Sequence, residues 1–343
     1  MRHIPHVSLA RLPTPVEPLE AVSRHVGASI WIKRDDQTAE RYGGNKVRKL
    51  EYALGEALKR RADAVITTGA AGSHHALATA LFGAELGLSV HAVLVPAHFT
   101  PHAEDNLRAL LVAGSEVHPV RSSVAVVPKM ATLAAKARLR GGHRPVLLPP
   151  GGTNTAGVIG HVEAGLELAR QMESREVPEP DAVFVPLGTG GTAAGLAIGL
   201  AAAGLTTQVI GVRVVPRAVA NRPLLGRLIR GVVKHLRSID NRFPDVAEDA
   251  MRHLTIEQGE LGDGYGVPTS QARVAKRMMA EHAGLELDTT YTAKTVAAMT
   301  RLARREMAGK TLLYVHTLSG ALLDPRVRRA PVLPKNVRRL LLR

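Results

Sequence analysis

The stretch "YGGNKVRKLEY", Tyr42 to Tyr52, sets Lys46 behind two glycines and an asparagine at what reads as a helix start. A helix N-terminus carries partial positive charge, so an ammonium gains nothing there. Either Lys46 is an ordinary solvated lysine, the usual fate of that residue, or its amine is held partly neutral and used as a nucleophile. A second chemical candidate is "LGTGGTAAGL" (187–196), a glycine loop between an apolar run and a helix start. Backbone N–H groups of Thr189, Gly190, Gly191 and Thr192 can cradle a phosphate there, helped by the helix dipole and the two hydroxyls. The loop also fits a loose dinucleotide fingerprint, but no acid follows to hold a ribose: after Asp181 the next acidic residue is Asp240. Arg213 leaves a 2′-phosphate open, and a ligand-free tight turn is a further alternative. The third candidate is "TTGAAGSHHALATA" (67–80). Ser73 and the N–H groups of Ser73, His74 and His75 at a helix start suit a substrate carboxylate; equally, Ser73 is a plain helix cap.

A phosphate cradle and a reactive amine in one chain point to a phosphorylated aldehyde, pyridoxal 5′-phosphate, whose ring acts as an electron sink. The absence of cysteine excludes thiol catalysis, zinc–cysteine sites and a disulfide framework. His98 and His102 stand four apart with no acidic third ligand, so no metal is expected.

The elements that must position these residues alternate along the chain. Strand-like runs are "SIWIK" (29–33), "AVITTG" (64–69), "SVHAVLVP" (89–96), "SEVHPV" (115–120), "PVLLPP" (145–150), "AVFVPLG" (182–188), "QVIGVRVV" (208–215) and "TLLYVHT" (311–317). Between them lie helix-like pieces: Val47–Arg60, His75–Leu86, Pro101–Ala113, Thr155–Met172 and Thr192–Ala203. Strand–helix alternation predicts an α/β chain of two interleaved domains, each a mainly parallel sheet covered by helices. The expected division is residues 1–56 plus 161–324 as the larger, cofactor-binding domain, 57–160 as the smaller one, and 325–343 as a basic tail. All three chemical loops follow strands, where ligands bind in such folds.

The net charge of +15 is local. Seven basic residues fall between Arg213 and Arg237, and seven more follow Asp324; the remaining 31 basic residues nearly balance the 30 acidic ones. A polyanion-binding role for these tracts is the alternative from another class. In "RPLLGRLIRGVVKHLRSI" Arg227, Arg230, Lys234 and Arg237 lie opposite Leu225, Leu228, Ile229, Val232 and Leu236. That pattern fits a helix packed on the protein or one lying on a membrane. No apolar run reaches the ~20 residues of a spanning helix, and the start lacks a secretory pattern. A cytoplasmic protein without specific nucleic-acid binding is expected.

"GGNKVRKLEY" resembles the signature of the D-cysteine desulfhydrase and 1-aminocyclopropane-1-carboxylate deaminase family, whose fold is the type II architecture of tryptophan synthase β subunits. Further strings resemble that family in the same order: "PTPVEPLE", "IWIKRDD", "TGAAGSHH", "GTGGTAAGL", "GDGYGVPT", "DTTYTAK" and "YVHTLSGALL". The resemblance spans roughly residues 8 to 324. It implies that Lys46 carries the cofactor and moves protons, that Asn45 helps fix the site, and that Thr189, Gly190, Gly191 and Thr192 hold the phosphate. Ser73, His74 and His75 then face the substrate, with His74 also near the cofactor. Tyr265 and Tyr291 line the substrate side as proton donors or acceptors. Thr292 and Thr317 lie by the ring nitrogen, and a homodimer is implied.

Thr292 stands where the deaminase branch has glutamate. A hydroxyl leaves the ring nitrogen largely neutral, a weaker sink that suffices to expel a β substituent and suits cyclopropane opening poorly. The expected reaction is therefore β-elimination on a small amino acid, giving pyruvate and ammonia. A cyclopropane deaminase or another lyase for β-substituted amino acids, such as a cysteate sulfo-lyase, is the alternative. The chain departs from the family at Gly72 (usually Gln), His74 (Asn), Leu77 (Arg), Ala293 (Gly) and Leu318–Ser319 (Gly-Gly), all on the substrate side.

Overall fold

A computed structural model describes residues 4–141, 144–321, 323–329 and 332–342. Along these residues the strands are β1 (Val16–Pro18), β2 (Ser29–Lys33), β3 (Ala64–Ala70), β4 (Ser89–Val95), β5 (Ala97–His98), β6 (Glu116–Pro119), β7 (Pro145–Leu147), β8 (Ala182–Leu187), β9 (Gln208–Arg213), β10 (Leu254–Glu257), β11 (Thr311–Val315) and β12 (Leu341–Leu342). Two interleaved units result. The first is built from Ala10–Arg48 and Gly157–Ala321, the second from Pro5–Leu9, Lys49–Ala156 and Leu322–Arg343.

In the first unit the sheet order is β1-β2-β11-β8-β9-β10, parallel except for the antiparallel β1–β2 edge pair. β8 is buried along its whole length, which is why it reads as an unbroken apolar run rather than an alternating one. Ile30, Ile32, Phe184, Leu312 and Tyr314 from the sheet pack with Met279 and Met299 from helices. The Arg222–Ile239 helix is capped by Asn221, whose side chain accepts from the Leu224 N–H. It buries Leu225, Ile229, Val232, Val233 and Leu236 and leaves Arg227, Arg230, Lys234 and Arg237 exposed. Its apolar stripe packs on the Gly191–Ala202 and Ala247–Arg252 helices of the same unit, so the protein itself covers that face. Among the described residues no helix is long and apolar enough to cross a membrane.

The second unit has a four-stranded parallel sheet, β6-β4-β3-β7. Ile66 and Val93 pack there against Val126, Met130 and Ala134. The segment read from sequence as a basic tail contributes β12, which pairs in parallel with β5; Arg343 lies outside the described residues.

Beneath the Lys46 loop the first unit buries four charges. Arg48 is fully buried. Its guanidinium donates to Asp35 (2.8 and 3.1 Å) and to both oxygens of Glu167 (2.9 and 3.0 Å). Lys33 donates to Glu167 at 2.6 Å, to Gln171 and to the Thr14 carbonyl. Two cations thus face two anions with every strong donor engaged, the condition under which buried charge is tolerable. Burial pushes the Glu167 carboxyl up, but Arg48 and Lys33 outweigh it and hold it at about 2. A carboxylate whose folded-state pKa is depressed stabilises the fold fully above its ordinary value and loses that contribution as pH falls through the depressed one. The span from 4.5 down to about 2 corresponds to roughly 3 kcal/mol. Acid unfolding followed by circular dichroism should therefore steepen between those two pH values. Glu167→Gln should flatten that limb; an acid limb identical in the variant would contradict this origin.

Candidate active site

The glycine loop follows β8 and runs into the Gly191–Ala202 helix, so its backbone N–H groups lie at a helix N-terminus. Gly190 caps that helix with φ +89°, and a Cβ there would come within 2.4 Å of Leu225 Cδ2. Only glycine fits. The loop is tied to the Lys46 segment of the same unit: Asn45 Nδ2 donates to Thr192 Oγ1 at 2.9 Å. Lys46 Nζ donates to Asn45 Oδ1 at 2.8 Å, and the Asn45 N–H donates to the Thr317 carbonyl. Asn45 thereby links amine, phosphate-type loop and the end of β11. Thr317 enters through its carbonyl oxygen.

Burial lowers the Lys46 amine to about 8, against a smaller opposing pull from Asp288. The buried lysines are committed elsewhere. Lys33 serves the ionic cluster, Lys49 donates to the Gly151 carbonyl and Thr153, and Lys294 donates to the Leu261 and Gly264 carbonyls. Lys46, half-buried, donates to a single neutral amide oxygen, and its lowered pKa brings it close to a neutral nucleophile at ordinary pH.

Tyr265 and Tyr291 meet edge to face, with their hydroxyls 2.6 Å apart. Burial raises both phenols, Tyr291 well above its usual value, so both stay protonated and one proton lies between two oxygens. Thr292 is fully buried, and its hydroxyl donates to Asp288 Oδ2 at 2.7 Å while accepting from the Asp288 N–H. Position 292 therefore presents a hydroxyl already held within its own turn. The sequence reading passed over Asp288. Its carboxylate accepts from the N–H groups of Thr290, Tyr291 and Thr292 at the start of the Thr292–Ala303 helix. It is also the negative charge felt by Lys46, Tyr265, Tyr291 and His316. The signal was available: an Asp a few residues before an apolar-periodic run is a helix-start residue. His316, buried and bonded through Nδ1 to the Tyr314 hydroxyl, is pushed down by burial and was likewise not singled out.

In the second unit Ser73 caps the His74–Glu85 helix, accepting from the Ala76 N–H. The N–H of Ser73 donates to the Ala70 carbonyl at 2.9 Å, because the strand turns into the helix within three residues. His75 is buried against Gly152, whereas His74 is partly exposed and its Nε2 lies 3.0 Å from His102 Nε2. The departures at positions 72 and 74 form one local change. Gly72 has φ +79°, and a Cβ there would stand 2.5 Å from Ala103 Cα. Glycine lets the Pro101–Val112 helix approach until His102 reaches His74 and Asn106 Nδ2 donates to the Gly72 carbonyl. His102, weighed from sequence only as half of a histidine pair with His98, is the partner of His74 instead.

These residues fit pyridoxal phosphate. An amine near neutrality, a glycine cap at a helix N-terminus and threonine hydroxyls beside it are what an aldehyde and a phosphate require. Comparison with known proteins agrees. The sequence profile of the "Pyridoxal-phosphate dependent enzyme" family matches residues 7–317. The D-cysteine desulfhydrase of Klebsiella pneumoniae is 33% identical over 324 residues, covering 92% of this chain and 94% of that protein. A Pyrococcus horikoshii protein provisionally named 1-aminocyclopropane-1-carboxylate deaminase is 34% identical over 320 residues, 91% of each. The crystal structure of an ACC deaminase homologue superposes with a TM-score of 0.79 at 28% identity, covering 99% of this chain and 97% of that one. With motif order, fold and the Lys46–Asn45–Thr192 connection in agreement, the chain belongs to the family of pyridoxal-phosphate dependent enzymes.

Proposed function

We propose that this chain is a lyase that eliminates the β substituent of a small amino acid, releasing a 2-oxo acid and ammonia, with Lys46 as the cofactor lysine. What supports Lys46 is its contrast with Lys33, Lys49 and Lys294, all held by carbonyl, hydroxyl or carboxylate oxygens. The cofactor supplies an electron sink for the substrate's Cα–H bond. Lys46 Nζ, near pKa 8, takes up and returns a proton. Thr189, Gly190, Gly191 and Thr192 hold the phosphate, and Ser73 and His74 orient the substrate. The Tyr265–Tyr291 pair gives a proton to the departing group. A homodimer is part of this reading, by resemblance.

Elimination is favoured over cyclopropane opening by Thr292, a neutral hydroxyl where a deaminase has a carboxylate. Relatives carrying both names stand at nearly equal identity, so a substrate panel decides. Holoenzyme is offered D-cysteine, L-cysteate, D- and L-serine and 1-aminocyclopropane-1-carboxylate, and the 2-oxo acid is identified. Pyruvate from a β-substituted substrate, without 2-oxobutyrate from the cyclopropane, is the expected result; efficient 2-oxobutyrate release would overturn it. On the same footing, Tyr291→Phe should lower kcat by roughly 100-fold while the visible cofactor band and the melting temperature stay near wild type. An unchanged kcat would remove the tyrosine pair from proton transfer.

A further inference from the structure

The sheet edge of the second unit carries a set of side chains that the reaction does not use. His91 lies on β4, and Glu116 and His118 lie on the neighbouring edge strand β6. In the parallel register His91 is opposite Glu116, and Val93 is opposite His118. Residues two apart on a strand, and residues paired across strands, project from the same face of a sheet. All three side chains therefore stand together, on the face where Val93 meets Val126 and Met130.

Their ligating atoms converge. His91 Nδ1 lies 3.2 Å from His118 Nε2 and 3.3 Å from Glu116 Oε2, and His118 Nε2 lies 3.6 Å from the same Glu116 oxygen. A tetrahedral ion bound at 2.0–2.1 Å by nitrogen and oxygen needs ligand-to-ligand edges of about 3.3 Å. The two rings lie side by side with centroids 5.5 Å apart, close enough for a small rotation of either to bring both nitrogens onto one ion. A hydrogen bond between the two histidines accounts for one edge of this triangle. It does not account for a single carboxylate oxygen standing 3.3 and 3.6 Å from the two nitrogens.

We propose that His91, Glu116 and His118 bind one divalent transition-metal ion of the zinc type, with water completing the shell. Two imidazoles and one carboxylate favour zinc-like ions over magnesium or calcium, which prefer all-oxygen sites. His91 and His118 are mostly covered, with side chains 22% and 17% exposed, while Glu116 is 69% exposed. The ion is thus held at the surface by a partly preformed pair and a carboxylate that closes over it. Lys129 acts on His118 from the adjoining helix and opposes the charge of any divalent ion, so the choice among ions rests on the imidazole ligands. Its effect is to pin edge strand β6 to β4, which also protects an exposed sheet edge.

The test uses untagged holoenzyme stripped with a chelator and titrated with Zn2+ by calorimetry, with Mg2+ as the comparison. Wild type should bind one zinc ion per chain and melt at a higher temperature with it, without change in the visible cofactor band. His91→Ala and Glu116→Gln should each weaken that binding by ~10-fold or more. His102→Ala, at a different histidine pair, should leave it intact. Glu116→Gln alters an exposed side chain, so retained cofactor colour and an unchanged metal-free melting curve show that any loss is local. Absence of stoichiometric zinc binding, or binding indifferent to both substitutions, would overturn the proposal.

Discussion

Arg48→Met is expected to destabilise the folded protein by roughly 3–5 kcal/mol, the range for breaking a buried ion pair from one side. The guanidinium is wholly buried and gives Nε and Nη2 to Asp35 and Nη1 and Nη2 to Glu167. Removing it leaves two buried carboxylates facing the single ammonium of Lys33. Urea unfolding should show a lower midpoint with an unchanged slope. Arg48→Lys should recover only part of the loss, because one ammonium cannot span two carboxylates as a planar fork does. Since Glu167 is held near 2 largely by Arg48, the variant's deficit should shrink as pH falls and that carboxylate takes up a proton. A midpoint within experimental error of wild type would show that the cluster does not anchor the helix on which Lys46 sits.

Lys46→Ala is expected to lower kcat/KM by about 1,000-fold or more, because nucleophile and proton carrier are lost together. Stability should move the other way. The folded-state pKa of Lys46 is depressed to about 8, so the protonated amine costs the fold free energy below that pH, by up to roughly 3 kcal/mol relative to its ordinary value. Cofactor-free Lys46→Ala should thus melt at or above the temperature of cofactor-free wild type at pH 7. That gain should fade as pH rises from about 8 toward the ordinary lysine value of 10.5. Activity loss with unaltered or raised stability is the signature of a residue kept for chemistry. Equal loss of both would make Lys46 a structural lysine.

Local pattern made the main elements legible, and separation in the chain hid the rest. The long strands and several long helices announced themselves by apolar runs and helical spacing, and Lys46 does begin the Lys46–Lys59 helix, whereas the Val126–Gly141 and Ser270–Ala283 helices were not singled out. β1, β5, β10 and β12 did not, being two to four residues long and defined by their partners rather than by their own pattern: Leu341 pairs with Ala97, far back in the chain. "IWIKRDD" and "GGNKVRKL" were quoted as motifs. That Lys33 and Arg48 within them converge on Glu167, more than a hundred residues away, while Asp35 takes the other side of the Arg48 guanidinium, has no periodic signal. Gly72, His74 and His102 likewise looked like separate departures until the close approach at Ala103 joined them. Asp288 was readable as a helix-start acid. Its reach over Lys46 and both tyrosines was not, since electrostatic neighbourhood is a property of the fold.

The most direct test is to reduce the holoenzyme with borohydride, digest it and map the phosphopyridoxyl mass by mass spectrometry. That mass belongs on the peptide containing Lys46, at Lys46 itself. Its appearance on Lys49 or any other lysine, or on none despite added coenzyme, would contradict the assignment.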